Sequence, residues 1–287
     1  MTQSHVRELA FLKGHGTEND FIIIEDPNGE MNLDAHTVQF LCDRRAGIGA
    51  DGLLRIVRSS EVAEPSADAA AQEGAEWFMD YRNADGSIAE MCGNGARVFA
   101  HVLATRDYVA SPDFLIGTRA GVRQIHVHNL AGFAADVEVE MGPVRVDGLS
   151  TVSVGGRTFA GLAINVGNPH VAAIVPGLTE EQLAALPIEQ PIEYDHEFFP
   201  EGVNVEIASD LHADAVRMRV NERGVGETRS CGTGTVATTV AALADAGRAD
   251  GTVEVHVPGG VITVTIQDGQ ARLQGPSRIV FEGTLQL

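Results

Sequence analysis

The feature that most constrains this chain is a short pattern that occurs twice: a cysteine, then Gly-x-Gly, then a long apolar segment. The first copy begins at Cys92 and leads into residues 98–103, and the second begins at Cys231 and leads into residues 235–246. The second segment carries no charge before Asp245, which predicts a helix that is buried on all sides. We therefore expect each cysteine at the N-terminus of a central helix.

The surroundings of the two cysteines indicate an internal repeat. Asn83 lies nine residues before Cys92, and Glu222 lies nine residues before Cys231. Segments rich in β-branched residues, which favour strands, surround both copies. The sequence therefore predicts an α/β fold of two similar halves, with a boundary near Arg119. Two such halves facing each other would bring both helix N-termini to one cleft.

Length and composition limit the functions that this chain could have. Its 287 residues suffice for two hydrophobic cores. The net charge of −20 argues against nucleic acid or an anionic membrane as a partner, because phosphate-rich surfaces attract basic proteins. No apolar run approaches a membrane span of roughly 18 residues, and the first residues lack a signal-peptide pattern. Three widely spaced cysteines then predict free thiols in the cytoplasm.

Two thiols at helix N-termini suggest a specific kind of chemistry. The unpaired N–H groups and the helix dipole are expected to lower each thiol pKa below about 8.5. The neighbouring glycines let a carboxylate approach the same N–H groups. One thiolate could remove the proton from a carbon beside that carboxylate, while the other thiol returns a proton to the opposite face. Such a pair would invert a stereocentre without a cofactor.

Other uses of the cysteines are weaker hypotheses. Cys42 has no glycine neighbours and lies on an apolar helical face, so we expect it to be a buried structural residue. A disulfide between Cys92 and Cys231 is chemically feasible, but a reducing compartment disfavours it. No metal site is predicted, because the sequence has no C-x-x-C or H-x-x-x-H spacing that could supply further zinc ligands.

The combined motifs resemble those of diaminopimelate epimerases, and the resemblance is collinear from about Phe11 to Leu287. The matching segments are GTENDF (16–21), GIGADG (47–52), NADG (83–86), MCGNGAR (91–97), GNPH (167–170), VN (203–204), ERGVGET (222–228) and CGTG (231–234). The resemblance implies an epimerase that is independent of pyridoxal phosphate and interconverts LL- and meso-2,6-diaminoheptanedioate in the bacterial lysine and cell-wall pathway. It implies two pseudo-symmetric domains, each a curled, mostly antiparallel sheet around a central helix. The first would comprise residues 1–118 and a returning C-terminal strand at 276–287, and the second residues 119–275.

The resemblance also implies roles for individual residues. Cys92 and Cys231 correspond to the acid and base pair, and His170 and Glu222 to residues near the reacting amine and the thiols. The residues that match substrate contacts are Asn19, Asn83, Asn168, Asn204, Glu222 and Arg223, together with the backbone N–H groups of Gly93, Asn94, Gly232 and Thr233. Gly52 departs from the pattern, since some members carry glutamine there.

Three other functions share part of the pattern. A proline or hydroxyproline racemase also uses two cysteines as acid and base. The asparagine and arginine residues expected to bind a second amino acid group favour the diaminodiacid as substrate. An isomerase of the phenazine-biosynthesis type shares the fold and lacks the cysteine pair. A non-enzymatic amino acid binding module would bind diaminopimelate without proton exchange. A homodimer is compatible with the resemblance, although the sequence does not set the oligomeric state.

Overall fold

The computed structural model describes residues 8–286 of the chain, which divide into two compact units. The first unit holds the chain up to Gly16, Asp20–Val137 and the chain from Ser277 on. The second holds Thr17–Asn19 and Glu138–Pro276. None of the helices among the described residues has the length and apolar character needed to cross a membrane.

Strands make up most of the regular structure. In chain order they are β1 (Glu8–Gly16), β2 (Asn19–Glu25), β3 (Gly52–Arg58), β4 (Trp77–Asn83), β5 (Asp113–Thr118), β6 (Gly121–Ala131), β7 (Ala134–Pro143), β8 (Arg145–Val154), β9 (Arg157–Asn165), β10 (Pro169–Val175), β11 (Glu193–Tyr194), β12 (Asn204–Ser209), β13 (Ala215–Glu222), β14 (Gly226–Thr228), β15 (Gly251–Val257), β16 (Gly260–Gln267) and β17 (Gln270–Gln286). The α-helices are α1 (Ala35–Cys42), α2 (Pro65–Gln72), α3 (Gly93–Thr105), α4 (Glu180–Ala184) and α5 (Gly232–Asp245).

Helix α3 forms the centre of the first unit. Every residue from Gly93 to Leu103 is buried, and strands β1, β3, β4 and β6 pack against the helix. Even the polar side chain of His101 is enclosed, and its ring nitrogens lie 3.0 Å from the Ser277 hydroxyl and 2.9 Å from the Gly132 carbonyl oxygen. The helix is thus surrounded on all sides.

Helix α5 has the same position in the second unit, as its uncharged sequence predicted. Its three buried threonines, Thr235, Thr238 and Thr239, all have hydrogen-bond partners for their hydroxyl groups. Thr235 donates to the carbonyl oxygen of Gly232 at 2.7 Å, and Thr239 donates to that of Thr235 at 2.9 Å. Hydrogen bonds to the preceding turn let threonine occupy an apolar helix interior.

Both units repeat one order of elements. In the first, β2 and β3 are parallel, β3 and β4 antiparallel, α3 leads to β5 parallel to β4, and β6 returns antiparallel. In the second, β10, β12, β13, α5, β15 and β16 follow the same order and directions. A crossover between parallel strands needs a long connection, and in both units a helix that starts after a cysteine supplies it. The predicted pseudo-symmetric α/β fold is confirmed.

The first boundary between the units lies later than the sequence suggested. The sequence placed it near Arg119, whereas contacts keep the chain as far as Val137 in the first unit. The reason is strand pairing, because β6, which follows Arg119, pairs with β5 along the whole of β5.

Candidate active site

Cys92 and Cys231 occupy the same local position in the two units. Each is the N-cap of its helix with an extended backbone, at φ −142° and ψ 118° for Cys92 and at φ −126° and ψ 117° for Cys231. The Gly95 N–H donates to Sγ of Cys92 at 3.5 Å, and the Gly234 N–H donates to Sγ of Cys231 at 3.4 Å. Each sulfur takes the place of the usual N-cap oxygen. Both predicted helix N-termini are confirmed.

In the first unit, Cys92 lies near a buried positive charge. Arg97 follows it on α3 and is fully buried. Burial lowers the pKa of this guanidinium to about 10, and Coulomb interactions with Cys92 and Asp136 oppose the shift. Arg97 therefore remains charged at neutral pH, and a neighbouring cation favours a thiolate over a thiol.

In the second unit, Cys231 lies near negative charge instead. Burial raises the pKa of this thiol well above its usual value, and the carboxyl groups of Glu222 and Glu206 raise it further. Hydrogen bonds from the Thr233 hydroxyl and the Gly234 N–H act in the opposite direction. The expectation of a lowered pKa is therefore wrong for Cys231, because burial and two carboxyl groups outweigh the helix N-terminus.

Glu222 ends strand β13 beside this thiol. Burial raises the pKa of its carboxyl group, while hydrogen bonds from the Thr228 hydroxyl and the Cys231 thiol lower it. Thr228, on β14, donates the hydroxyl hydrogen bond that holds the Glu222 carboxylate in place. The sequence analysis did not predict Thr228 as a site residue. Glu222 is thus positioned to accept a hydrogen bond from the reactive sulfur.

His170 lies on β10, fully buried, and both of its ring nitrogens face oxygen atoms. Nδ1 is 2.8 Å from Oε1 of Glu206, and Nε2 is 2.9 Å from Oδ1 of Asn168. Asn168 donates from Nδ2 to Oγ1 of Thr233 at 3.4 Å, and that oxygen lies 3.5 Å from Sγ of Cys231. A continuous series of contacts therefore connects His170 and Asn168 to the Cys231 sulfur.

The residue that sequence reasoning missed in this series is Glu206. It lies on β12, fully buried, between the apolar residues Val205 and Ile207. An acidic residue between two apolar residues of a strand could have been noticed in the sequence, because a carboxylate inside a buried strand needs a polar partner. The sequence could not show that this partner is His170.

Asn204 and Arg223 lie at neighbouring strand ends in the second unit. The parallel register of β10 and β12 sets Asn204 opposite His170. Asn204 donates from Nδ2 to the Pro169 carbonyl oxygen at 3.0 Å, and its Oδ1 accepts from the Arg223 N–H at 2.9 Å. Arg223 itself is exposed, and Nη1 of its guanidinium donates to the Glu201 carbonyl oxygen at 3.2 Å.

In the first unit, Asn83 ends β4 at a tight turn. Its Nδ2 donates to the Ser87 hydroxyl at 3.0 Å, and its backbone N–H donates to the Ser87 carbonyl oxygen at 3.0 Å. Arg119 donates to the carbonyl oxygens of Tyr81 at 3.2 Å and Ala89 at 3.4 Å. These bonds hold the segment that leads from Asn83 to the first cysteine.

Gly52 pairs with Asn83 across β3 and β4 and is closed to a side chain. A Cβ at Gly52 would lie 2.7 Å from the carbonyl oxygen of Arg82 and 2.8 Å from the ring of Tyr81. The local backbone therefore leaves no room for a glutamine side chain at position 52, where some members of the resembled family carry one.

Asn19 follows a hairpin turn that contacts the residues just before Cys231. Thr17 and Glu18 have positive φ values of 50° and 62°. The Thr17 hydroxyl is 2.7 Å from that of Ser230, and Glu18 forms an ion pair with Arg229. By its contacts this turn, including Asn19, belongs to the second unit.

Replacing Gly259 by alanine is expected to destabilise this turn. A Cβ at Gly259 would lie 1.8 Å from the carbonyl oxygen of Thr17, a backbone atom that cannot rotate away. We expect the free energy of unfolding to fall by about 3 kcal/mol, measured by chemical denaturation. Gly283→Ala is the control, because a Cβ there meets its nearest neighbour at an ordinary 3.4 Å. An unchanged stability of Gly259→Ala would contradict the close contact between Gly259 and the backbone of Thr17.

The third cysteine has a structural environment. Cys42 is buried on α1 with Val38 and Leu41, and burial raises its pKa to about 11. This agrees with the predicted structural role, and none of the three cysteines, all of which lie within residues 8–286, forms a disulfide. Within residues 8–286, no three or more His, Cys, Asp and Glu side chains are grouped so as to hold a metal ion.

Comparison with known sequences gives one family. The family model described as diaminopimelate epimerase matches residues 11–146 and 162–280. A diaminopimelate epimerase of Corynebacterium glutamicum strain R is 54% identical over 279 residues, covering 97% of this chain and 99% of that protein. One of Mycobacterium ulcerans is 50% identical over 280 residues, covering 96% and 97%.

Comparison with solved structures gives the same fold at low identity. A Bacillus anthracis protein of a phenazine biosynthesis family has a TM-score of 0.67 and 14% identity, covering 98% of this chain and 100% of that one. A hydroxyproline epimerase from Agrobacterium vitis has a TM-score of 0.63 and 18% identity, covering 100% and 94%. Both the racemase type and the phenazine type are therefore distant structural relations of this chain.

Proposed function

Because this chain belongs to the diaminopimelate epimerase family, we propose that Cys92 and Cys231 are its acid and base pair, one from each of two epimerase domains. The protein is an isomerase that interconverts LL- and meso-2,6-diaminoheptanedioate in lysine biosynthesis. The family chemistry is independent of pyridoxal phosphate, so groups of the protein must move the α-proton. The two N-cap sulfurs are the groups suited to that task.

The observation that carries the assignment is the opposite charge around two equivalent sulfurs. Arg97 favours a thiolate at Cys92, and the raised pKa of Cys231 keeps a proton on that sulfur. In the LL to meso direction, the Cys92 thiolate takes the α-proton and the Cys231 thiol gives its proton to the opposite face of the same carbon. The step ends with a thiol at Cys92 and a thiolate at Cys231. After the product leaves, Cys92 gives a proton to water and Cys231 takes one from water, which restores the first state.

The α-hydrogen of an amino acid is too weak an acid for a thiolate alone, so the developing carbanion must be stabilised. The first N–H groups of a helix have no acceptor within the helix and bind anions. We assign the N–H groups of Gly93 and Asn94 on α3, and of Gly232 and Thr233 on α5, to the reacting carboxylate. A single donor of this kind contributes about 3 to 4 kcal/mol to a transition state.

The remaining polar residues are proposed to bind and orient the substrate. His170 and Glu222 act near the reacting amine, because they are connected to the Cys231 sulfur by hydrogen bonds. The residues proposed to hold the far amino acid end and the reacting carboxylate are Asn19, Asn83, Asn168, Asn204, Glu222 and Arg223. Arg223 is an exposed residue, and a guanidinium can bind a carboxylate through two parallel hydrogen bonds.

The test of the function is α-proton exchange in deuterated water. With LL-diaminopimelate, we expect deuterium to enter the α position as the meso isomer forms, followed by NMR. L-Proline and trans-4-hydroxy-L-proline, offered in the same way, should not exchange. Exchange of proline but not of diaminopimelate would contradict the proposal, and binding of diaminopimelate without exchange would point to a binding module.

We also propose that the protein is a homodimer that works in the cytoplasm, with no nucleic acid or membrane partner. The net charge of −20 disfavours anionic surfaces, and reactive thiols must stay reduced to act. Support for the dimer comes from large apolar side chains that are exposed in the first unit, where Phe133 is 62%, Val280 58% and Phe281 47% exposed. Exposed apolar side chains of this size can mark a protein contact.

The dimer proposal predicts that Phe281→Asp gives a monomer. A carboxylate in the middle of an apolar interface would be buried without a partner, so the molar mass from light scattering after size exclusion should halve. Leu149→Asp is the control, because Leu149 is 77% exposed on β8, in the other unit. A wild-type protein that elutes as a monomer would rule out the dimer.

A further inference from the structure

Glu206 is a buried carboxyl group to which the family resemblance assigns no role. On β12 its neighbours Val205 and Ile207 belong to the hydrophobic core of the second unit, and Glu206 projects from the other face of the strand. There it lies against the start of α5, since a Cβ on Gly234 would be 2.7 Å from Oε1 of Glu206. Glycine at this helical position leaves the space that the carboxyl group occupies.

The environment of Glu206 offers it little stabilisation. Oε1 of Glu206 forms a hydrogen bond with Nδ1 of His170. Among residues 8–286, Oε2 of Glu206 has no hydrogen-bond partner. Burial raises the pKa of this carboxyl group, and His170 opposes the shift. A buried ionisable pair is often no more stable than an apolar pair of the same size. Stability therefore does not explain a glutamate at this position.

The hydrogen bonds of His170 show what Glu206 does. Nε2 faces Oδ1 of Asn168, an oxygen that can only accept, so Nε2 must carry a proton. Nδ1 faces the Glu206 carboxyl group, and one proton lies between them. Whether that proton is on Nδ1 or on Oε1, the proton on Nε2 is retained. Without a carboxyl group, a neutral His170 could move its proton to Nδ1 and turn a lone pair toward Asn168.

The orientation of Asn168 depends on that proton. With Oδ1 held by His170, the amide Nδ2 points to Thr233, whose Oγ1 lies 3.5 Å from the Cys231 sulfur. If Nε2 lost its proton, Asn168 would gain by exchanging its oxygen and nitrogen, and an acceptor would then face Thr233. The hydrogen bond of Thr233 to the sulfur would change with it.

We propose that Glu206 is a positioning residue of the epimerase reaction, which keeps a proton on Nε2 of His170 and thereby fixes Asn168, Thr233 and the Cys231 sulfur. The titratable groups around this cluster are His170 on β10, Glu222 on β13 and Cys231 on α5. The inference rests on the proposed assignment of Cys231. In histidines near reactive groups, the hydrogen bond made by one ring nitrogen commonly sets whether the other carries a proton.

Two substitutions at Glu206 test the inference. Glu206→Leu removes the partner of Nδ1 in a similar volume, and we expect kcat to fall about 10- to 100-fold with a smaller change in KM. Glu206→Gln can donate from its amide to Nδ1, so it should restore kcat to within about tenfold of the wild type. Glu227→Gln is the control, because Glu227 is a half-buried carboxylate that pairs with Arg219. Wild-type kcat in a folded Glu206→Leu variant would overturn the inference.

A measurement on the wild-type protein keeps the test independent of folding and of turnover. In protein labelled with ¹⁵N-histidine, the chemical shift of His170 Nε2 should be that of a protonated nitrogen, with the signal assigned by its loss in His170→Asn. A bare Nε2 would overturn the inference even if Glu206→Leu does not fold. If Cys231 proves dispensable while Nε2 is protonated, the proposed function fails and the role of Glu206 in orienting His170 stands.

Discussion

Replacing either Cys92 or Cys231 by alanine is expected to lower kcat/KM for LL-diaminopimelate by at least about 10³-fold. Inversion at one carbon needs one group that removes the proton and another that returns a proton to the opposite face. Alanine at either position deletes one of these two groups, and the sequence offers no other thiol beside a helix start. A 10³-fold loss corresponds to about 4 kcal/mol of transition-state stabilisation.

The measurement is deuterium incorporation and meso formation by NMR, with Cys42→Ala as the matched control. Cys42 is buried on α1 with a raised pKa, so its replacement should leave kcat/KM within about twofold when the variant is folded. Epimerisation near the wild-type rate in either Cys92→Ala or Cys231→Ala would refute the two-thiol mechanism. Loss of activity in Cys42→Ala with unchanged folding would also count against it.

Replacing Glu222 by glutamine is expected to lower kcat about 10²-fold and to lower the pKa of Cys231. The ionised carboxyl group of Glu222 repels a thiolate and so raises the pKa of Cys231. Glutamine removes that charge while keeping the size of the side chain and an oxygen for the Thr228 hydroxyl. The Cys231 thiolate should then form at lower pH, and kcat should fall because the carboxylate proposed to act near the reacting amine is lost.

Alkylation by iodoacetamide at a series of pH values shows whether the pKa of Cys231 falls or rises in Glu222→Gln. The rate follows the thiolate fraction, and peptide mass spectrometry reads each cysteine separately. In Glu222→Gln the rise in Cys231 alkylation should move to lower pH, while in Glu227→Gln it should stay where it is in the wild type. A shift of Cys231 alkylation to higher pH in Glu222→Gln would contradict the charge effect assigned to Glu222.

Much of the candidate site could be predicted because its signals are local. The N-cap position of each cysteine depends on the glycines that follow within three residues, and the Gly95 and Gly234 N–H groups meet the sulfurs as expected. The uncharged sequence of α5 was enough to predict that this helix is central in its unit, and its residues are buried apart from Thr233, Val240 and the exposed end at Ala244 and Asp245. The recurrence of the Cys92 pattern at Cys231 was enough to predict two similar halves.

The sequence alone determined the two thiols, their helices and the family, since these depend on residue spacing along the chain. Only the tertiary structure decided that Cys231 is a thiol of raised pKa and that Glu206 is joined to His170. Those properties arise from burial and from charges on β10, β12 and β13, which the fold brings together around α5. Local hydrogen bonds are set by neighbours in sequence, whereas the electrostatic free energy of a buried group is set by neighbours in space.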